Sequence, residues 1–123
     1  MEIFEELEAL LKKTKAIYSG FAVSSILITS ENKKYSGVNI ESSSYGLSVC
    51  AERTALFKAL SDGEYRFKEI HILSSSENII RPCGACRQLL VDYASEIDVF
   101  MYCSSGKFEK MKIEELLPFS FKL

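Results

Sequence analysis

The sequence predicts one α/β layered domain, residues 1–123, around a mixed sheet of about five strands. Three observations carry this expectation. Strand-like runs alternate with helical runs of about ten residues. The first two strand-like runs are separated only by the polar turn SENKK, so they pair as a hairpin and make the sheet mixed rather than fully parallel. The composition, 47% hydrophobic and 26% charged over 123 residues, suffices for one buried core.

Residues 2–18 place Ile3, Phe4, Leu7, Leu10, Leu11, Ile17 and Tyr18 at three-and-four spacing, an amphipathic helix that Gly20 stops. Residues 21–29, FAVSSILIT, are β-branched and apolar and make the first strand; residues 35–40 make the second. Residues 41–49, ESSSYGLSV, are polar and form a loop. Residues 50–60, CAERTALFKAL, combine strong helix formers with apolar spacing and end before Ser61-Asp62-Gly63. EIHILS at 69–74 is a short strand, 75–82 a loop, and GACRQLLVDY at 84–93 a second core helix. IDVFMYC at 97–103 is a strand, Ser104-Ser105-Gly106 a turn, 108–113 the last strand, and 114–117 the start of a terminal helix.

The formal net charge is −2 and the Lys and Arg residues are scattered. Phosphate-backbone binding therefore has no source, and no nucleic-acid partner is expected. No stretch reaches the ~20 apolar residues of a membrane span. The opening MEIFEELEALLKK runs acidic then basic, the reverse of a secretory leader. A soluble cytoplasmic protein without a membrane partner is expected. There, Cys50, Cys83, Cys86 and Cys103 are read as reduced thiols rather than as two disulfides.

The chemistry resides in CAE at 50–52 and PCGAC at 82–86, each opening a predicted helix after a loop. Cys83 and Cys86 lie one helical turn apart and can aim both sulfurs at one point. Helix N-termini present unsatisfied N–H groups and partial positive charge, which favour thiolates. Three ligands leave a zinc ion an open position for water, whereas four close it. Cys50, Cys83 and Cys86 make three; Cys103, without ligand spacing, would complete an inert structural site if it joined them. The one histidine, His71, sits in EIHIL without a ligand-spaced partner and reads as a packed or solvent-facing strand residue. Glu52, two residues past Cys50, can stand beside the metal without binding it and move protons to and from water and a leaving group. Three thiolates leave Zn²⁺ with a net charge of −1, which disfavours ionising its water. Arg53 is expected to draw charge off a sulfur from outside the ligand set. Arg87 is a second candidate for that role.

CAERTALFKA and PCGACRQ resemble the two zinc motifs of the small homotetrameric cytidine deaminases, and the likeness extends from about Tyr18 to Phe121, including Asn39-Ile40-Glu41 and the terminal EELLP. The resemblance implies the three-layer α-β-α fold of that family, a Zn²⁺ cofactor and a homotetramer. It implies hydrolytic deamination of cytidine and deoxycytidine in pyrimidine salvage: a zinc-bound hydroxide attacks C4 while Glu52 shuttles protons. It implies that Phe21 packs on the base, the backbone at Ala51 contacts the base edge, and Asn39 and Glu41 hold the ribose 3′-hydroxyl. Tyr45 would lie along the substrate loop and subunit contact, and Phe121, or alternatively Phe119, would stack on the base across a subunit interface. Ser24 and Ser25 stand where the family usually has Gly-Ala, so sheet-to-helix spacing is expected to shift. A blasticidin S deaminase, which shares the zinc chemistry, and a structural zinc module are the competing readings.

Overall fold

The computed structural model describes residues 2–123. In chain order the helices are α1 (Glu2–Leu11), α2 (Ala51–Ser61), α3 (Gly84–Tyr93) and α4 (Ile113–Leu116). The strands are β1 (Val23–Thr29), β2 (Lys34–Val38), β3 (Phe67–Ser74), β4 (Asp98–Tyr102) and β5 (Phe108–Lys112). They form one sheet in the order β2-β1-β3-β4-β5. The β1–β2, β1–β3 and β4–β5 pairs are antiparallel. The β3–β4 pair is parallel, and its crossover is α3, as a parallel pair requires. The mixed α/β sheet expected from the sequence is thus present.

Strand alternation divides the core into two layers. Ile26, Ile28, Leu73 and Tyr102 pack with Leu7 of α1 on one side. Leu27, Ile70, Ile72, Val99 and Met101 pack with Ala55, Leu56 and Ala59 of α2 and Leu90 and Val91 of α3 on the other. The paired serines of β1 follow the same alternation. Ser24 Oγ donates to Leu7 O of α1 and Ser25 Oγ donates to Ala51 O of α2, each at 2.8 Å and fully buried. Each hydroxyl is therefore satisfied on a helix carbonyl, and the sheet is tied to a helix on both faces. Across from Ser25 in the ladder stands Gly37. A Cβ there would lie 2.6 Å from Ala55 N and inside contact distance of Ala51 O. The start of α2 can approach the sheet this closely because position 37 is glycine.

Two predicted boundaries are corrected. The first helix ends at Leu11 rather than at 18. Lys12, Lys13, Thr14 and Lys15 offer no apolar face to continue the packing, and the backbone of Lys15 instead bridges to Ile40. The first strand begins at Val23 rather than at 21, because Phe21 is held by a side chain rather than by a strand ladder. Within the predicted loop 41–49, Tyr45–Leu47 makes one 3₁₀ turn. No helix among the described residues is long and apolar enough to cross a membrane.

Candidate metal centre and adjoining pocket

Two helix N-termini meet beyond the end of β3. Cys50 is the N-cap residue of α2 and Cys83 that of α3, both with extended backbone. The Cys83 sulfur occupies the place of a capping oxygen and accepts from Cys86 N at 3.5 Å. The Sγ atoms of Cys50 and Cys83 are 3.7 Å apart, and those of Cys83 and Cys86 are 3.4 Å apart. All three lie within 4.8 Å of one another, and among the described residues this is the one such grouping of potential ligand atoms. Cys103 is not part of it: its Sγ lies 3.2 Å from Ser105 Oγ. His71 is engaged on the α1 side of the sheet, with Nδ1 2.8 Å from Tyr102 Oη and Nε2 3.0 Å from Glu69 Oε1. Three soft sulfur donors fit zinc, and three rather than four leave a position for a reactant.

The electrostatics favour thiolate at Cys50. The neighbouring Cys86 thiol and the Arg53 guanidinium beside it lower its pKa to about 5, against the opposing effect of burial. Cys86 is correspondingly pushed up by its proximity to Cys50 and by burial. A divalent cation displaces such protons when it binds. Arg53 Nη2 donates to Cys50 Sγ at 3.5 Å. Arg87 is occupied elsewhere, donating from Nε to Pro82 O and from Nη1 to Leu116 O, each at 2.8 Å. It fastens the segment before Cys83 to the end of α4.

Glu52, only 5% exposed, follows Cys50 in the first turn of α2. Burial pushes its carboxyl up to about 7, and the charge of Cys50 adds to this. Its own backbone N–H, Arg53 and the Cys86 thiol pull the other way.

Beside the thiols lies a cavity of about 230 Å³ whose lining includes Cys50, Ala51, Glu52, Phe21, Asn39 and Glu41. Asn39 Oδ1 accepts from Val23 N at 2.9 Å, and its Nδ2 donates to Phe21 O at 2.8 Å. It therefore sets the chain at Phe21. Glu41 Oε1 accepts from Tyr18 N at 2.9 Å and Ser19 N at 3.0 Å, and Oε2 accepts from Ser19 Oγ. These bonds hold its carboxyl below the usual range. Two predicted residues stand outside this cavity. Tyr45, 83% exposed, lines an adjoining groove with Tyr18 and Ser42, and shares Ser19 and Glu41 with the cavity. Phe121, 68% exposed, lies against α3, where its carbonyl accepts from Gln88 Nε2 at 3.0 Å. Ser19, Ile80 and Arg81 also line the cavity without having been singled out from sequence. None stands in a ligand or acid–base pattern along the chain; only the fold brings them to the thiols.

The family model for the cytidine and deoxycytidylate deaminase zinc-binding region matches residues 2–103. A cytidine deaminase of Sporosarcina psychrophila is 39% identical over 105 residues, spanning 85% of this chain and 77% of that protein. A blasticidin-S deaminase of Bacillus cereus is 35% identical over 107 residues, spanning 80% of this chain and 76% of that protein. The crystal structure of cytidine deaminase from Burkholderia pseudomallei superposes with a TM-score of 0.93 at 36% identity, covering 98% of this chain and 97% of the other.

Proposed function

Because the chain belongs to the cytidine and deoxycytidylate deaminase family, we propose that it hydrolyses the 4-amino group of cytidine and deoxycytidine, releasing uridine or deoxyuridine and ammonia, in pyrimidine salvage. One observation carries this reading: a buried carboxyl, Glu52, adjoins three convergent thiols at a cavity whose lining also includes Asn39 and Glu41. Cys50, Cys83 and Cys86 are the residues that would hold Zn²⁺, which supplies Lewis acidity to activate water.

The chain's own residues divide the remaining work. Glu52 takes a proton from the attacking water, delivers it to the ring nitrogen N3, and assists protonation of the departing amine. A carboxyl poised near neutrality suits both directions of transfer. Arg53 withdraws charge from Cys50, which keeps a three-thiolate centre able to activate water. Phe21 packs on the base, and the Ala51 backbone meets its edge. Asn39 and Glu41 receive the sugar, and the fixed negative charge of Glu41 repels phosphate at that end. This favours free nucleosides over polynucleotides. Tyr45 and the tail carrying Phe121 serve subunit contact in a homotetramer, with Phe121 stacking on the base in a neighbouring subunit's cavity. A cytoplasmic setting, where thiols stay reduced, suits the ligand set.

Likeness to a blasticidin-S deaminase supports a second reading with the same chemistry on a larger substrate. An ultraviolet assay of zinc-loaded protein on cytidine, deoxycytidine and blasticidin S separates the two. Turnover of the first two is the expected outcome. Turnover of blasticidin S alone reassigns the substrate, and no turnover of any of the three overturns the reaction.

A further inference from the structure

The segment before β1 carries a hydroxyl with two partners, both of them residues of the sugar and base end of the cavity. Ser19 Oγ donates to Glu41 Oε2 and accepts from Phe21 N at 3.0 Å, while Ser19 N donates to Glu41 Oε1. We propose that Ser19 is the positioning residue that sets selection for the sugar 3′-hydroxyl: its hydroxyl and backbone N–H, together with Tyr18 N, fill every acceptor position of Glu41 but one. This rests on the reading of Glu41 as a sugar-binding residue.

The argument is a count of lone pairs. An ionised carboxylate offers about four acceptor sites, two on each oxygen. Tyr18 N and Ser19 N fill both on Oε1, and the Ser19 hydroxyl fills one on Oε2. One site remains, on Oε2, for a single donor from a ligand. The carboxylate can neither rotate nor take two hydroxyls, so it reads one hydroxyl at one place. Ser19 has given its only hydroxyl proton to Glu41 and one of its two oxygen lone pairs to Phe21 N, so it has no proton left to donate to a substrate. Its part in the proposal is to hold Glu41 in place. The same oxygen couples the sugar end to the aromatic that meets the base, since Phe21 N depends on it.

Removing the hydroxyl frees a second site on Oε2 and lets the carboxylate turn. The penalty should fall on substrates with a 3′-hydroxyl and spare those without one. The test compares wild type, Ser19→Ala, Ser19→Thr and Glu41→Ala, all zinc-loaded, on cytidine and 3′-deoxycytidine. Ser19→Ala should raise KM for cytidine about tenfold, the worth of a hydrogen bond to a charged group. It should leave KM for 3′-deoxycytidine within about twofold and kcat little changed. Ser19→Thr, which keeps the oxygen, should restore the preference. An equal rise in KM on both substrates overturns the proposal, because it would mean only a loosened segment. If Glu41→Ala abolishes the preference for cytidine and Ser19→Ala does not, the role of Ser19 falls while that of Glu41 stands. If Glu41→Ala keeps the preference, the reading of Glu41 falls and the proposal with it.

Discussion

Glu52 and Arg53 are neighbours in one turn of α2, yet the fold gives them opposite tasks. Glu52 is buried and drawn toward neutrality, whereas Arg53 keeps its charge against a sulfur. The neutral amide in Glu52→Gln keeps the size of the side chain but cannot accept a proton from water. Turnover should fall by about 10²–10⁴-fold, the usual worth of a positioned general acid–base. Zinc content should be unchanged, since Glu52 is not among the three convergent thiols. Stopped assays beside metal analysis check both parts, and a variant that loses metal with its activity would make Glu52 a ligand instead. At this scale much of the site was legible in the chain itself. CAE and PCGAC announce the three convergent thiols and the buried carboxyl beside them, because metal chemistry demands particular residue types at helix spacing. Ser19 was not legible, because a serine gains its meaning only from what the fold sets against its oxygen.

Among the elements, α2 matters most, since it carries Cys50, Glu52 and Arg53, and the sheet determines where it lies. Gly37 and Ser25, paired across β1 and β2, form the seat of its first turn. The Cβ in Gly37→Ala would meet backbone atoms of Ala51 and Ala55 that cannot step aside as a side chain could. Overpacking of this kind typically costs about 1–3 kcal/mol. The midpoint of chemical unfolding should drop accordingly, and kcat should fall because Glu52 moves with the helix; an undisturbed midpoint would show that α2 is not seated there. On the opposite face, His71 stacks on Phe100 at 4.4 Å between ring centroids and bonds Tyr102 and Glu69. Burial lowers its pKa from the ordinary 6.5, and this outweighs the raising effect of Glu69; Lys34 also lowers it. The neutral ring is thus favoured in the folded state. Its contribution to stability is complete above about pH 6.5 and is lost progressively as the pH falls from there through the lowered folded-state pKa, because the unfolded chain takes up the proton first. Unfolding midpoints at about pH 7.5 and 5.5 should diverge more in the wild type than in His71→Gln. Equal divergence would assign the acid sensitivity to other groups. Sequence periodicity anticipated these elements well wherever an apolar face continued. It overran at 12–18, where Ile17 and Tyr18 extended a helical spacing that the intervening lysines could not support. Those two residues are exposed instead, on the segment leading to Ser19.

For the molecule as a whole, the distribution of apolar surface is the informative property. Ile17, Tyr18, Tyr45, Leu47, Phe119 and Phe121 are all more than half exposed, although the two core layers are well filled. Exposed apolar side chains are informative where they gather on one surface. Two of them, Tyr18 and Tyr45, line the groove that shares Ser19 and Glu41 with the cavity, so a subunit seated there would border the substrate site. The tail supports the same conclusion. Phe119 takes a left-handed backbone, φ 55°, which is uncommon outside glycine. Its ring is fully exposed, and Phe121 lies on α3 away from its own chain's cavity. A left-handed backbone that brings the Phe119 ring no packing within the chain is what the proposed subunit contact would account for. Deleting residues 119–123 removes both phenylalanines while sparing the thiols, Glu52 and the sheet. Light scattering should show a smaller assembly than the wild type forms, and KM should rise while zinc content holds. Full assembly together with unchanged KM would confine the catalytic apparatus to a single chain.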